Sequence, residues 1–160
     1  LPAMKKAPLK AAASVVSCAS KSIEKRIENL KQLFLLLTGS AGNKLKKDLI
    51  DQQEMVMNLS DILTEIFVLE STFLRAEKAK ENKNDKAEIF AKITEVQAYD
   101  AFESVRKSAR EVINAYTTGL ENKMMKKFLN NLVPDYNINA KENRREIAKH
   151  LIAENDYSLS

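Results

Sequence analysis

The residues best suited to chemistry are His150, the only histidine, and Cys18, the only cysteine. A neutral imidazole serves as a general base or a metal ligand, but a zinc site needs several His, Cys or carboxylate groups at fixed spacing. Di-iron bundles take a Glu-x-x-His motif from each of two helices, which one histidine cannot supply. His150 instead reads as a structural residue sharing a surface with Glu146, one turn earlier. Cys18 lies among small residues with Lys21 nearby, and a neighbouring cation can activate a thiol. It has no second cysteine and no signature around it, so it reads as inert. Asp61 and Glu65 lie one helical turn apart and are placed to bridge to a neighbouring helix rather than to share a proton. Gly39 and Gly42 are not followed by the Lys-Ser/Thr of a phosphate-binding loop. No residue is assigned a catalytic, cofactor-binding or metal-binding role.

The elements that would position any site are helices. The chain has 160 residues, 44% apolar and 30% charged, with three Gly, three Pro and no Trp. That profile favours long helices with few tight turns, and the length suits one domain around a single core. The chain is organised around Gln53–Lys80, which contains no Pro or Gly. Met55, Leu59, Ile62, Leu63, Ile66, Leu69 and Phe73 recur at steps of three and four, one face of an α-helix. Met57, Phe67, Val68 and Leu74 widen that face, so this helix is expected to be a central member contacted from more than one side.

Residues 1–20 read as a linker that becomes helical after Pro8, and residues 21–157 as the helical bundle domain. Ser20 and Ser22 are candidate caps for a firmer helix over Lys21–Thr38, with Ile23, Ile27, Leu30, Phe34 and Leu37 on one side. Thr38–Asn43, holding two of the three glycines, is expected to break or bend the chain. A second helix then runs from Lys44 to Lys80, and the polar Glu81–Asp85 connects it to an antiparallel neighbour. The third helix covers Lys86–Thr117, with Ile89, Ile93, Val96, Gln97, Ala101, Val105, Ala109, Val112 and Tyr116 as its stripe. Gly119 is expected as its left-handed C-cap. Leu120–Leu132 is a shorter amphipathic helix ended by Val133-Pro134-Asp135. Asn139 and Glu142 form a capping box for a last helix to Glu154, with Ile147, Leu151 and Ile152 inward. No strand pattern or fixed-period repeat is visible. The predicted fold is all-α: an up-down bundle of long helices with one or two shorter C-terminal helices.

The net charge of +4 conceals an asymmetry, because residues 1–47 carry ten Lys/Arg against two Glu. A basic front end suits anionic partners, but no aromatic residue is interleaved with the lysines of the first thirty residues to stack on bases. Nucleic-acid binding is not expected. The longest apolar run, Leu33–Leu37, is too short to span a bilayer. Met124–Leu132 has the Met- and Lys-rich look of an interfacial helix, though such helices more often pack on their own bundle, and membrane contact is not expected. The opening LPAM suggests a piece of something longer.

Two stretches carry a family resemblance. Asp51-Gln52-Gln53-Glu54, Asn58-Leu59-Ser60-Asp61 and Leu69-Glu70-Ser71 through Leu74-Arg75 resemble the C-terminal extension of large bacterial acyl-CoA dehydrogenases. Arg144-Arg145-Glu146-Ile147-Ala148 and Leu151-Ile152-Ala153-Glu154-Asn155 are similar to the end of the same proteins, and more weakly to the extra domain of very-long-chain acyl-CoA dehydrogenase. The resemblance covers roughly residues 20–157. It implies a cytoplasmic parent flavoprotein, acting in fatty-acid oxidation, whose FAD accepts a hydride as a Glu base takes the α-proton, giving the 2,3-enoyl thioester. Those groups belong to an upstream core, and Glu54, Glu65 and Glu70 match none of them. The implied role is an accessory and assembly domain whose partners are that core and a second subunit, as a homodimer. From a different class, the alternative is a free-standing helical protein-interaction module.

Overall fold

The structure, a computed structural model, describes residues 9–154, with side chains from residue 22 onward. Five helices follow in order: α1 (Leu9–Leu45), α2 (Gln53–Glu81), α3 (Ala87–Tyr116), α4 (Gly119–Leu132) and α5 (Ala140–Glu154), with a short 3-10 helix at Lys46–Asp51 before α2. No strand occurs among the described residues. The fold is the all-α bundle that the periodicity predicts.

The first break lies elsewhere than expected. Thr38–Asn43 is not a loop: α1 runs through it to Leu45, and Ser20 and Ser22 also lie inside α1 rather than at its start. Leu33, Leu37 and Ala41 are fully buried and carry one face across the glycines, so packing outweighs the roughly 1 kcal/mol that a mid-helix Gly costs against Ala. The turn falls at the 3-10 segment, where Lys46 takes φ 49°. Its other anchor is the Gln52 N–H, which donates to the Leu49 carbonyl at 3.1 Å.

The centre of the bundle is α3, not α2. α3 packs against α1, α2, α4 and α5, whereas α2 meets α1, α3 and the 3-10 segment. Phe102, Val105, Ala109, Val112 and Ile113 of α3 are buried with Leu30, Leu33 and Leu37 of α1 and Ile62 and Leu69 of α2. Of the predicted α3 stripe, Ile89, Ala101, Val105, Ala109, Val112 and Tyr116 are buried, and only the stretch between Ile89 and Ala101 is rotated. Phe90, Thr94, Ala98 and Phe102 are buried, while Ile93, Val96 and Gln97 are partly exposed. Small side chains at Thr94, Ala98 and Ala101 let α2 come close. The Thr94 hydroxyl donates to the Phe90 carbonyl at 2.8 Å and lies 3.4 Å from the Thr72 carbonyl of α2. With the Gln97 side chain donating to Glu65 at 3.4 Å, that contact sets α2 and α3 antiparallel.

Gly119 does have positive φ, at 58°, but it opens α4 after the extended Thr117 and Thr118 instead of capping α3. Buried Thr117 ends α3, its hydroxyl donating to the Ile113 carbonyl at 2.5 Å. Arg106 pins the chain beyond α4. It reaches the Val133 carbonyl at 3.2 Å and Asp135 at 2.8 Å. Tyr136 then stands edge-on to Phe102, with the Arg26 guanidinium over both rings. Burial, and next Glu95, push the Tyr136 phenol above its ordinary pKa, against the opposing effect of Arg26.

Candidate docking surface

The residues singled out for chemistry do not converge. His150 on α5 is half-buried, with Nε2 3.4 Å from Glu154. Glu146 turns away from it to Lys92 of α3, at 2.6 Å. Asp61 is exposed, and Glu65 takes its hydrogen bond from Gln97, so they form no shared carboxylate site. Glu70 pairs with Lys31 of α1 at 2.5 Å, and Glu54 is exposed. Gly39 lines an open groove between α1 and α4 with Leu35, Ser40, Lys44 and Glu121. Lys44 and Glu121 pair across it at 2.5 Å. Cys18 lies outside the residues whose side chains are described.

Tyr116, buried on α3, has the Lys44 ammonium 5.8 Å from its ring centre. Burial pushes its phenol above the ordinary value, with Ser40 opposing that shift.

What the helices present outward is hydrophobic surface. On α2 the core takes Met55, Leu59, Ile62, Ile66 and Leu69, while Leu63, placed inward by the sequence reading, is exposed. Val56, Leu63, Phe67 and Leu74 recur at steps of seven, four and seven and so share one outer face. Phe67 is 68% exposed there, and Met57 and Val68 flank the stripe. The broad apolar face read from the sequence is therefore real, but one half of it has no partner among the described residues. A second apolar face lies on α4, where Met125 and Leu129 point inward and Leu120, Met124 and Phe128 outward. Lys123 and Lys127 lie beside it. Exposed large apolar side chains in contiguous rows mark contact surfaces. No described helix is long and apolar enough to cross a membrane.

Comparison with known proteins gives these surfaces a setting. Residues 29–131 match the family described as "Acyl-CoA dehydrogenase, C-terminal domain". A "Probable acyl-CoA dehydrogenase" of Bacillus subtilis (strain 168) is 28% identical over 134 residues, which is 83% of this chain and 23% of that protein. The crystal structure of an acyl-CoA dehydrogenase complexed with FAD from Bacillus anthracis superimposes with a TM-score of 0.82 and 29% identity. That match covers 86% of this chain and 24% of the other. The chain thus spans about a quarter of the length of these relatives. With the family match covering well over half its residues, the chain belongs to the acyl-CoA dehydrogenase C-terminal domain family.

Proposed function

We propose that this chain is the accessory and assembly domain of a cytoplasmic, FAD-dependent acyl-CoA dehydrogenase that oxidises acyl-CoA to 2,3-enoyl-CoA in fatty-acid oxidation. The observation that carries the reading is the similarity, in sequence and fold, of most of this chain to about a quarter of an FAD-complexed acyl-CoA dehydrogenase. In this reading residues 1–20 connect the domain to the rest of a longer polypeptide, and residues 21–157 form the domain. The chemistry belongs to the remainder of the parent.

The described residues support that division. The α1–α4 groove does not fit a flavin: its lining carries no aromatic ring, and its cation, Lys44, is already held by Glu121. Glu146 is engaged in an ion pair with Lys92, and His150 Nε2 lies 3.4 Å from the Glu154 carboxylate of its own helix. The exposed rows on α2 and α4 supply what an assembly role needs, apolar area free to be covered. The parent is expected to be a homodimer.

The test compares the parent with the 160-residue chain by flavin absorbance and acyl-CoA-dependent dye reduction. A yellow, active parent beside a colourless, inert chain is the expected result. A colourless, inactive parent removes the dehydrogenase reading, and a yellow fragment removes the assignment of the cofactor to the rest of the parent. The same exposed rows would also serve a free-standing helical interaction module, which takes over if the parent binds no flavin.

A further inference from the structure

The outer side of α1 lacks what a water-facing helix carries. From Gln32 to Asn43 no residue is charged, the longest such run in the chain. Gln32, Leu35, Gly39 and Asn43 recur at steps of three and four and so share one face. All four are exposed, Leu35 by 68%. The outer row of α3, by contrast, is Glu103, Lys107 and Arg110. Gly39 adds a second anomaly. A glycine inside a helix is costly, and this chain has no need of one here. The Gly39 backbone is helical, and an added Cβ would meet no atom within 4 Å. What a glycine does provide is close approach for something outside. Gly39 lies in the groove between α1 and α4, beside Leu35, Leu36 and Ser40, with the Lys44–Glu121 pair at one end. Met124 and Phe128 follow Glu121 at steps of three and four, so these exposed side chains border the same groove. Lys123 and Lys127 fall off that face by the helical repeat.

We propose that this groove is the seat of the remainder of the chain's own longer polypeptide, which lays an apolar, uncharged ridge over Gly39. A second copy is the poorer occupant. A two-fold contact sets the same patch against itself, and two grooves face to face leave the space over Gly39 empty. A partner that comes and goes is steered by charge, which the α1 stripe does not offer, and permanent contacts are the more hydrophobic ones. A segment of the same polypeptide needs no steering, because the linkage itself supplies its effective concentration. The relatives have such a segment to give, since this chain matches only about a quarter of their length. The inference rests on the reading of the chain as one domain of a longer dehydrogenase and adds the face by which the domain is held. The exposed α2 row is left for other contacts.

The test places Leu35→Cys, together with Cys18→Ser, in the 160-residue chain and in the parent, and follows maleimide labelling of position 35 by peptide mass spectrometry. The isolated chain is expected to label rapidly at every concentration. The parent should label on the order of tenfold more slowly, because the seat must first open. Equal rates overturn the proposal. So does a slowing in the isolated chain as its concentration rises, which would make the cover a second copy. Gly39→Leu supplies an independent arm. In the isolated chain it should keep the helical circular dichroism, since its Cβ has room. In the parent it should fill the seat and return position 35 to the rate of the isolated chain, whereas Gly42→Ala, off the groove, leaves the protection in place. Protection that survives Gly39→Leu, or that both substitutions abolish, overturns the proposal. A yellow, active parent with position 35 fully reactive keeps the dehydrogenase reading and removes this seat. A colourless parent with position 35 protected does the reverse.

Discussion

The body formed by α1, α2 and α3 and the terminal helix α5 are held by opposite kinds of contact. In the body, Leu30, Leu33, Leu37, Ile62, Leu69, Phe102 and Ile113 are among the largest fully buried side chains. Full burial of a Leu, Ile or Phe contributes roughly 1.5–3 kcal/mol. On α5 the one buried residue is Ala140. It lies along α3 through Lys92 to Glu146 at 2.6 Å, Arg144 to Asp100 at 2.6 Å and Asn143 to Glu95 at 2.7 Å. Partly exposed ion pairs of this kind contribute about 0–1 kcal/mol each. The contrast separates a part that decides whether the chain folds from one that decides where a helix rests.

Cutting into the body should break the molecule as a whole. Leu30→Ala leaves a cavity between α1 and its neighbours and is expected to cost about 2–5 kcal/mol, and Phe102→Ala about 3–5 kcal/mol. Phe102→Ala also removes the ring that meets Arg26 and Tyr136. Chemical denaturation followed by helical circular dichroism checks both. A loss under 1 kcal/mol at either position would mean that the body is not the cooperative unit.

At the start of α5 a smaller loss is expected, confined to that helix. The Glu142 N–H donates to Asn139 Oδ1 at 3.2 Å, so the Asn half of the predicted capping box is in place. The reciprocal half is not, because the Glu142 carboxylate lies toward Arg145 at 4.0 Å. Asn139→Ala should therefore weaken α5 by about 1 kcal/mol, while Glu142→Gln changes little. Amide exchange over residues 140–154 reads the difference, and equal effects of the two substitutions would restore a full box.

The glycines extend the test to the helix that the sequence reading divided. An alanine Cβ at Gly39 or Gly42 meets nothing within 4 Å. Each Gly→Ala there should stabilise α1 by roughly 0.5–1 kcal/mol by restricting the unfolded chain. Gly119→Ala, at φ +58°, should instead cost about 1 kcal/mol in spite of the open space around it. Thermal melts of the three variants give the signs. Destabilisation by Gly39→Ala would mean that the helix is not continuous there.

These cases mark what the sequence made legible. Helices α2 to α5 follow from spacing and from polar or Pro-containing connections, since one face of each packs on a neighbour and imprints a 3.6-residue period. The first turn was misread because Gly39 and Gly42 carry a breaker's composition inside a stripe that Leu37 and Ala41 continue, whereas Lys46 carries no turn signal of its own. The orientation of α5 was illegible for a different reason. Its inward residues include Ile147 and Leu151, partly buried, but Ile152 is 77% exposed. What fixes the helix is an ion pair and an amide-to-carboxylate hydrogen bond with residues more than forty positions away, which no local pattern records. The α2 stripe was half legible. A face too wide for one neighbour signalled a second contact, yet the sequence placed Leu63 on the wrong side of the division.

Acid and salt should have the smallest effect on overall stability and the most selective one. Hydrogen bonding to Lys92, with its charge acting in the same direction, holds the Glu146 carboxyl below its ordinary value of 4.5. A group lowered in the folded state contributes stability above its unfolded value, and that contribution disappears as pH falls through the folded one. Lys92 is the mirror case. Its hydrogen bonds to Glu146 and then Glu88 raise it above 10.5, so its contribution is complete below that value and is lost as pH rises through the raised one. Their contribution to docking is therefore full between about pH 4.5 and 10.5 and weakens on either side. Salt near 1 M, where the screening length is about 3 Å, should loosen α5 at neutral pH. Amide exchange is the measurement, with residues 140–154 expected to quicken in acid or salt before α3 does. Simultaneous loosening of α3 and α5 would make the terminal helix part of the cooperative body, and the division between a buried seam and a charged latch would fall.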